Sequence, residues 1–295
     1  MSATESIGSV EGPAVAGGRG TARASASAAQ RVRAGRPIVR LRPALVALVV
    51  VAGLTLATEA VVRATHVAPF VFPPPSAVLA QLAAEPGLFL RAAAVTLGEA
   101  AAGLLLGAAA ALAFAAAATH SRRLDAALTP LVVASQTIPV IALAPLLVLW
   151  MGYGAPPRVI ICALIAFFPM AVGAREGLRA TDADLLLLMR SAGARTRDVF
   201  WRVRVPAAAP YLAAGLRTGV TLSLVGAVVA EWTGAGTGLG YLVLSANARL
   251  ATAQAFAAVL VITCLGLLAY GAAVLVERRF CWWVAPSSSS VKGQS

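Results

Sequence analysis

The side chains that most often carry out catalysis or bind metals are few and scattered in this 295-residue sequence. Its two histidines, His66 and His120, stand alone, and none of its three cysteines belongs to a CxxC pair. Neither a metal site nor a disulfide framework is therefore supported. No GxxxxGK[ST] motif occurs, so we expect no nucleotide bound by a P-loop, no catalytic site and no cofactor held directly by the chain.

Ionisable residues within or beside long apolar runs are better candidates. Such groups are costly in hydrocarbon and are functional candidates by default. Of these, Glu99 and Arg217 are expected to lie deepest in the membrane and have opposite charges. An ion pair inside a helix bundle is expected for them ahead of substrate binding. The full set is Glu59, Glu99, Arg217 and Glu231.

Two tryptophans and two polar residues could meet a cationic or aromatic ligand, since indole faces attract cations. We take them as the candidate substrate pathway: Gln136, Trp150, Glu231 and Trp232. The glycines at 234, 236, 238 and 240 do not have the GxGxxG spacing of a phosphate-binding loop. A flexible outer turn is expected there.

The composition indicates which type of secondary structure positions these residues. Hydrophobic residues make up 59% of the chain and charged residues only 12%, and the apolar residues fall into runs long enough to cross a bilayer. The net charge of +12 does not indicate nucleic-acid binding, because the basic residues lie between the runs rather than on one face. An all-α polytopic membrane protein is predicted.

The run lengths predict a transmembrane domain over 43–280, with tails over 1–42 and 281–295, the first of them disordered. Pro130, Pro139 and Pro145 fall in the third run, where we expect a kinked or broken helix. A Gly103–Gly107 pair in the second run permits close helix approach, within one subunit more often than between two. Six spans are predicted: about 43–62, 89–118, 126–150, 158–175, 209–232 and 253–276.

Most of the 24 Lys and Arg residues flank one side of these spans. Basic loops are retained in the cytoplasm. Both termini and the loop over 181–208 are therefore predicted to be cytoplasmic. Four arginines are left outside: Arg63, Arg91, Arg158 and Arg249.

The cytoplasmic loop predicts two short helices joined by a bend. Thr181 with Asp184 resembles a capping-box start, and Gly193 has the position of a C-cap. A second helix over 196–204 would place Val199, Phe200 and Val203 on one face. Such an element suits docking into a soluble partner. An interfacial helix lying on the membrane is an equal alternative.

This loop resembles the signature loop of binding-protein-dependent ABC importer permeases, in which a glycine precedes a hydrophobic-x-hydrophobic-Pro element. The resemblance implies that the ATPase grips this coupling loop. Leu187, Leu188 and Met189 stand where the family has Glu-Ala-Ala. The implied coupling residues are Asp184, Arg190, Gly193, Ala194, Phe200, Val203, Val205, Pro206 and Pro210.

The similarity extends over about 69–283. The segments 72–76, 136–139, 150–154 and 231–241 resemble the nitrate, sulfonate and taurine permease group. Within that group, segments 184–190 and 226–232 look most like permeases for pyrimidine precursors of thiamine, with riboflavin permeases next. The resemblance implies a type I ABC importer permease fold in a bacterial cytoplasmic membrane. It also implies a homodimer embedded in lipid.

The implied partners are a cytoplasmic ATPase, which would bind ATP and Mg²⁺, and an extracytoplasmic substrate-binding protein, with no nucleic acid. Sulfonate, taurine, nitrate or riboflavin transport is the alternative within the family. An ion-coupled secondary transporter is the alternative from another class. It would favour inverted repeats and charges at the membrane midplane, and the sequence has no internal repeat and few such charges.

Overall fold

The computed structural model describes residues 41–137, 139–233 and 236–281. The tails predicted over 1–42 and 281–295 lie outside this part of the chain, apart from residues 41–42, which begin a helix, and Cys281. No strand occurs among the described residues, which confirms the all-α prediction.

The described residues form eleven α-helices and one π-helical turn, Phe200–Arg204. The helices are α1 (Leu41–Ala64), α2 (Pro75–Ala84), α3 (Pro86–His120), α4 (Arg122–Thr137), α5 (Val140–Met151), α6 (Ala155–Arg179), α7 (Ala183–Ser191), α8 (Thr196–Val199), α9 (Val205–Glu231), α10 (Leu239–Ala248) and α11 (Thr252–Phe280).

Five segments of the described chain are long and apolar enough to cross a membrane: Leu45–Ala64, Pro86–Thr119, Ala155–Arg179, Thr196–Glu231 and Thr252–Phe280. Each of them overlaps one of the six predicted spans, so five of the six have a counterpart. The remaining one, 126–150, is divided between α4 and α5, because Pro139 has an extended backbone (φ −69°, ψ 96°) and no N–H to donate. The predicted kinked or broken helix is thus confirmed, while six crossings stay a prediction.

Small residues hold α3, α6 and α9 together. A Cβ at Gly107 of α3 would lie 2.8 Å from the Ala163 carbonyl oxygen of α6, so only glycine allows this approach. On the other side of α6, a Cβ at Gly177 would lie 3.0 Å from the Ala208 Cα of α9. The Gly103–Gly107 pair therefore packs within one subunit, as expected.

Helix directions define two ends of the bundle. The Gly177 contact with Ala208 joins the end of α6 to the start of α9, whereas Gly226 near the end of α9 meets Cys162. The two helices are therefore antiparallel. The end that carries α7 and α8 is called the loop end here. The opposite end carries α2 and α10 and the first residues of α3 and α11, whose side chains share one apolar cluster.

Candidate functional site

The segment between α6 and α9 begins at an aspartate cap. Asp182 Oδ1 accepts a hydrogen bond from the Asp184 backbone N–H at 2.9 Å, so Asp182 is the N-cap of α7. The prediction that Thr181 caps this helix is wrong. A carboxylate oxygen is as good a cap as a hydroxyl, and it also carries a charge that suits the positive helix start.

The bend after α7 is made by Gly193, whose φ is +76°. The Gly193 N–H donates to the Arg190 carbonyl and the Ala194 N–H donates to the Met189 carbonyl, both at 3.0 Å. This pair of bonds is a Schellman motif, in which a residue with left-handed backbone ends the helix. The predicted C-cap glycine is confirmed.

No side chain of α7 is buried. Asp184 and Arg190 are both exposed, and so are the apolar side chains of Leu187 and Leu188, at 62% and 64%. Trp201 in the π-helical turn is 60% exposed. We call Leu185, Leu187, Leu188 and Trp201 the exposed apolar patch. Exposed apolar side chains of this size are a feature of surfaces that bind a partner.

The second half of the loop is anchored to the bundle. Val199 is buried, and Phe200 packs against the small-residue cluster formed by α3, α6 and α9. Val203 and Val205 are half-buried. The helix predicted over 196–204 becomes a π-helix at Phe200, where the Val205 N–H donates to the Phe200 carbonyl. Pro206 follows directly and lacks the N–H that would continue the α-helical pattern.

An ion network that the sequence did not predict lies beneath this loop. Arg175 of α6 donates to both carboxylate oxygens of Asp125 in α4, at 2.6 and 3.0 Å, and Arg179 donates to Oδ2 at 2.7 Å. These hydrogen bonds, that of Arg175 first, hold the pKa of Asp125 below its ordinary value. The i, i+4 spacing of the arginines was the available signal. The network ties α4 to the helix that leads into α7.

The residues proposed for the substrate pathway have different surroundings in the structure. Glu231 is fully buried: the Thr96 hydroxyl donates to its Oε1 at 2.6 Å and the Gly240 N–H to its Oε2 at 2.5 Å. This carboxylate caps α10 rather than facing a ligand. Trp150 and Trp232 are 72% and 46% exposed, and Gln136 lies in α4 with its side chain outside the described part.

The glycine-rich turn is also built around Glu231. Gly238 has a φ of +100°, and a Cβ on it would collide with the Glu231 carboxylate. A Cβ on Gly240 would likewise collide with the Val228 carbonyl and meet the Glu231 carboxylate. Gly238 and Gly240 are thus packed against a buried hydrogen-bonded group, which argues against a flexible turn at these two positions, whereas a Cβ on Gly236 would meet nothing within 4 Å and flexibility there stays a prediction.

The predicted Glu99–Arg217 pair is also wrong. Glu99 pairs with Arg158 in a buried contact, and Arg217 Nε lies 3.2 Å from Glu277 Oε2 of α11. The Thr96–Glu231 hydrogen bond puts Thr96 of α3 level with the end of α9. Glu99 is about one helical turn from that level, whereas Arg217 is about four turns from it and therefore lies nearer the loop end.

Two hollows bear polar side chains. One, of about 990 Å³, lies at the opposite end, where Tyr241, Arg249 and Gln254 contribute to its wall. The other, of about 480 Å³, lies on the exposed side of α9 and is called the α9 recess. The α9 recess is lined by Ala214, Arg217, Thr218, Thr221, Leu222 and Tyr270.

Among the described residues no group of three or more His, Cys, Asp or Glu could hold a metal ion.

Comparison with known proteins gives a consistent family. Residues 103–281 match the family described as "Binding-protein-dependent transport system inner membrane component". A probable ABC transporter permease protein of Haemophilus influenzae is 41% identical over 73% of this chain and 88% of its own. The formylaminopyrimidine transport permease protein ThiX of Halalkalibacterium halodurans is 35% identical over 73% of this chain and 86% of its own.

Two further matches are a permease named for a different substrate and a solved structure. The riboflavin transport system permease protein RibX of Chloroflexus aurantiacus is 35% identical over 73% of this chain and 81% of its own. The inward-facing MetNI methionine ABC transporter superposes with a TM-score of 0.57 at 17% identity, over 65% of this chain and 96% of the other. That likeness concerns the fold alone.

Proposed function

Because this chain belongs to the family of inner membrane components of binding-protein-dependent transport systems, as the permease subunit of an ABC importer, we propose that it translocates a thiamine pyrimidine precursor or a similar small planar heterocycle. The observation that carries the substrate class is the 35% identity, over 73% of the chain, to a formylaminopyrimidine permease and equally to a riboflavin permease, both named for nitrogen heterocycles. The relative named "Putative aliphatic sulfonates transport permease protein SsuC" of Bacillus subtilis shares 31% identity over 64% of this chain.

The charges at membrane depth also favour a ligand without strong negative charge. A sulfonate or nitrate would gain from an unpaired arginine or a helix N-terminus along its path. Arg158 is paired with Glu99, and Arg217 with Glu277. Each guanidinium is thus largely neutralised by a carboxylate, which lowers its attraction for an anion.

The ATPase partner is proposed to dock on the coupling loop. The exposed apolar patch supplies the contact area, and the Schellman bend at Gly193 presents α7 at a set angle to the anchored segment around Phe200. Asp184 and Arg190, both exposed, would add charged contacts at its edge. ATP and Mg²⁺ would bind to that partner.

The two ends of the bundle are proposed to face opposite sides of the membrane and to meet different partners. We place the loop end in the cytoplasm, because it carries Arg175, Arg179 and the arginines of the coupling loop. The substrate-binding protein would then dock on the opposite end, around the hollow of about 990 Å³. A second copy of the chain would complete a central pathway.

The test is growth and uptake in a thiamine-synthesis mutant that depends on external pyrimidine precursor. Cells carrying this permease with its ATPase and binding protein should grow on a low concentration of hydroxymethylpyrimidine-like compounds, and cells without the permease should not. Radiolabelled taurine, nitrate and riboflavin serve as competing substrates in the same cells. Equal growth in both strains, with permease-dependent uptake of taurine or nitrate, would refute the proposed substrate class.

A further inference from the structure

One side of α9 is exposed from Tyr211 to Val225, and Trp232, the residue that follows the helix, is exposed as well. The exposed positions are spaced three or four residues apart, apart from one gap of seven, so they share one helix face. The other side is buried against α6 and α3 through small residues such as Gly215 and Gly219. The exposed face carries aromatic residues at both ends and hydroxyls in the middle: Tyr211, Ala214, Thr218, Thr221, Val225 and Trp232.

An ion pair lies beside this exposed face of α9 and indicates whether the face borders water, protein or lipid. The side chains of Arg217 and Glu277 are 34% and 25% exposed. Arg217 lies inside a segment long and apolar enough to cross a membrane, and Glu277 lies near the end of another. Ionised groups in such segments face a bundle interior or a water-filled cavity, because hydrocarbon does not solvate them. This face of α9 therefore borders water or protein rather than lipid tails.

The α9 recess is large enough for a small molecule and has hydroxyl groups in its wall. Its volume of about 480 Å³ falls within the range of about 300–1,000 Å³ that is usual for ligand pockets. The Thr221 hydroxyl donates to the Arg217 carbonyl at 3.2 Å, and the Thr218 hydroxyl to the Ala214 carbonyl at 3.3 Å. Each hydroxyl hydrogen is thus engaged by the helix, and the oxygen lone pairs remain as acceptors.

We propose that the α9 recess is a substrate-binding station on the translocation path, and that it recognises an exocyclic amino group on a pyrimidine ring. The amino N–H groups would donate to the Thr218 and Thr221 oxygens, while the remaining Arg217 N–H groups would donate to a ring nitrogen. The Tyr270 ring lines the same recess and offers a face for stacking. This inference rests on the proposed function, whose substrate class it refines.

The test measures selectivity in proteoliposomes that contain the permease, its ATPase and its binding protein. Uptake of an aminopyrimidine is compared with uptake of the same pyrimidine lacking the amino group, for wild type, Thr218→Val and Thr221→Val. Valine keeps the shape of threonine and removes the acceptor. The matched control is Thr263→Val, since Thr263 is an exposed threonine of α11 that donates to the Val259 carbonyl at 2.9 Å outside the recess.

Each recess variant should lower the preference for the amino compound about fivefold, the usual effect of one neutral hydrogen bond. Thr218→Ser, which keeps the hydroxyl, should restore the preference, and Thr263→Val should leave it unchanged. An unaltered preference in both valine variants, with aminopyrimidine uptake by wild type intact, would overturn the recess while leaving the proposed function standing. Absence of aminopyrimidine uptake by wild type would refute the proposed function itself.

Discussion

The coupling loop offers a prediction whose magnitude depends on one backbone angle. Gly193 has a φ of +76°, and apart from its chain neighbours no atom lies within 4 Å of the position that a Cβ would occupy. A Cβ there meets open space, so backbone strain is the expected cost of Gly193→Val. A left-handed residue with a Cβ costs about 1–2 kcal/mol, which is roughly a 5- to 30-fold shift in an equilibrium.

We therefore expect Gly193→Val to weaken ATPase binding by about 5- to 30-fold, because the strained loop spends less time in the bent form that the partner requires. Binding is measured by titrating the purified ATPase against the permease in nanodiscs, and transport is followed in the same preparation. Membrane insertion should be unchanged, since the substitution lies outside the apolar spans.

Two control variants distinguish the effect of backbone strain from the effect of side-chain size. Gly193→Asn should bind almost as wild type, because asparagine adopts left-handed backbone more readily than other side chains. Gly271→Val in α11 also meets nothing within 4 Å, and its φ is not in the left-handed region, so it should have no effect on ATPase binding. Equal loss in the Asn and Val variants of Gly193 would refute the strain argument.

Three further predictions concern orientation, docking and the ion network. Single cysteines in place of Arg195 and Asn247 should react with a membrane-impermeant thiol reagent from the cytoplasmic and the external side respectively; cytoplasmic labelling at 247 would contradict the assigned orientation. Leu187→Asp should reduce ATPase affinity at least about tenfold with no change in thermal stability, because this side chain is 62% exposed and a charge disrupts an apolar contact; a lowered melting temperature would indicate a packing role instead. Asp125→Asn should destabilise the detergent-solubilised protein by roughly 1.5–3 kcal/mol, the contribution of hydrogen bonds to charged groups. The folded pKa of Asp125 is lowered, so the stability difference between wild type and Asp125→Asn should be complete above the unfolded pKa near ~3.9. It should disappear as the pH falls through the folded pKa. A stability difference that persisted in stronger acid would argue against this role of the Asp125 carboxylate.

Local features of the loop were predictable because their signals lie within a few residues of one another. A glycine after an apolar run indicates a helix end, and Gly193, directly after the C-cap Ala192, ends α7 with a left-handed backbone. The cap at the other end of α7 was assigned one residue too early, since Thr181 and Asp182 are both good caps and the choice depends on where α6 ends. The π-helical turn at Phe200 had no sequence signal beyond Pro206.

The sequence alone determined that the chain is helical and embedded in a membrane, because run length and loop charge act locally and need no knowledge of packing. Only the tertiary structure decided which polar groups meet. Glu99 binds Arg158, and Glu231 caps α10 through Gly240 instead of facing a ligand. The Glu99–Arg158 contact depends on the direction and depth of two helices far apart in sequence, and so does the hydrogen bond from Thr96 of α3 to Glu231. A buried charge accepts whichever partner those helices bring within hydrogen-bonding distance.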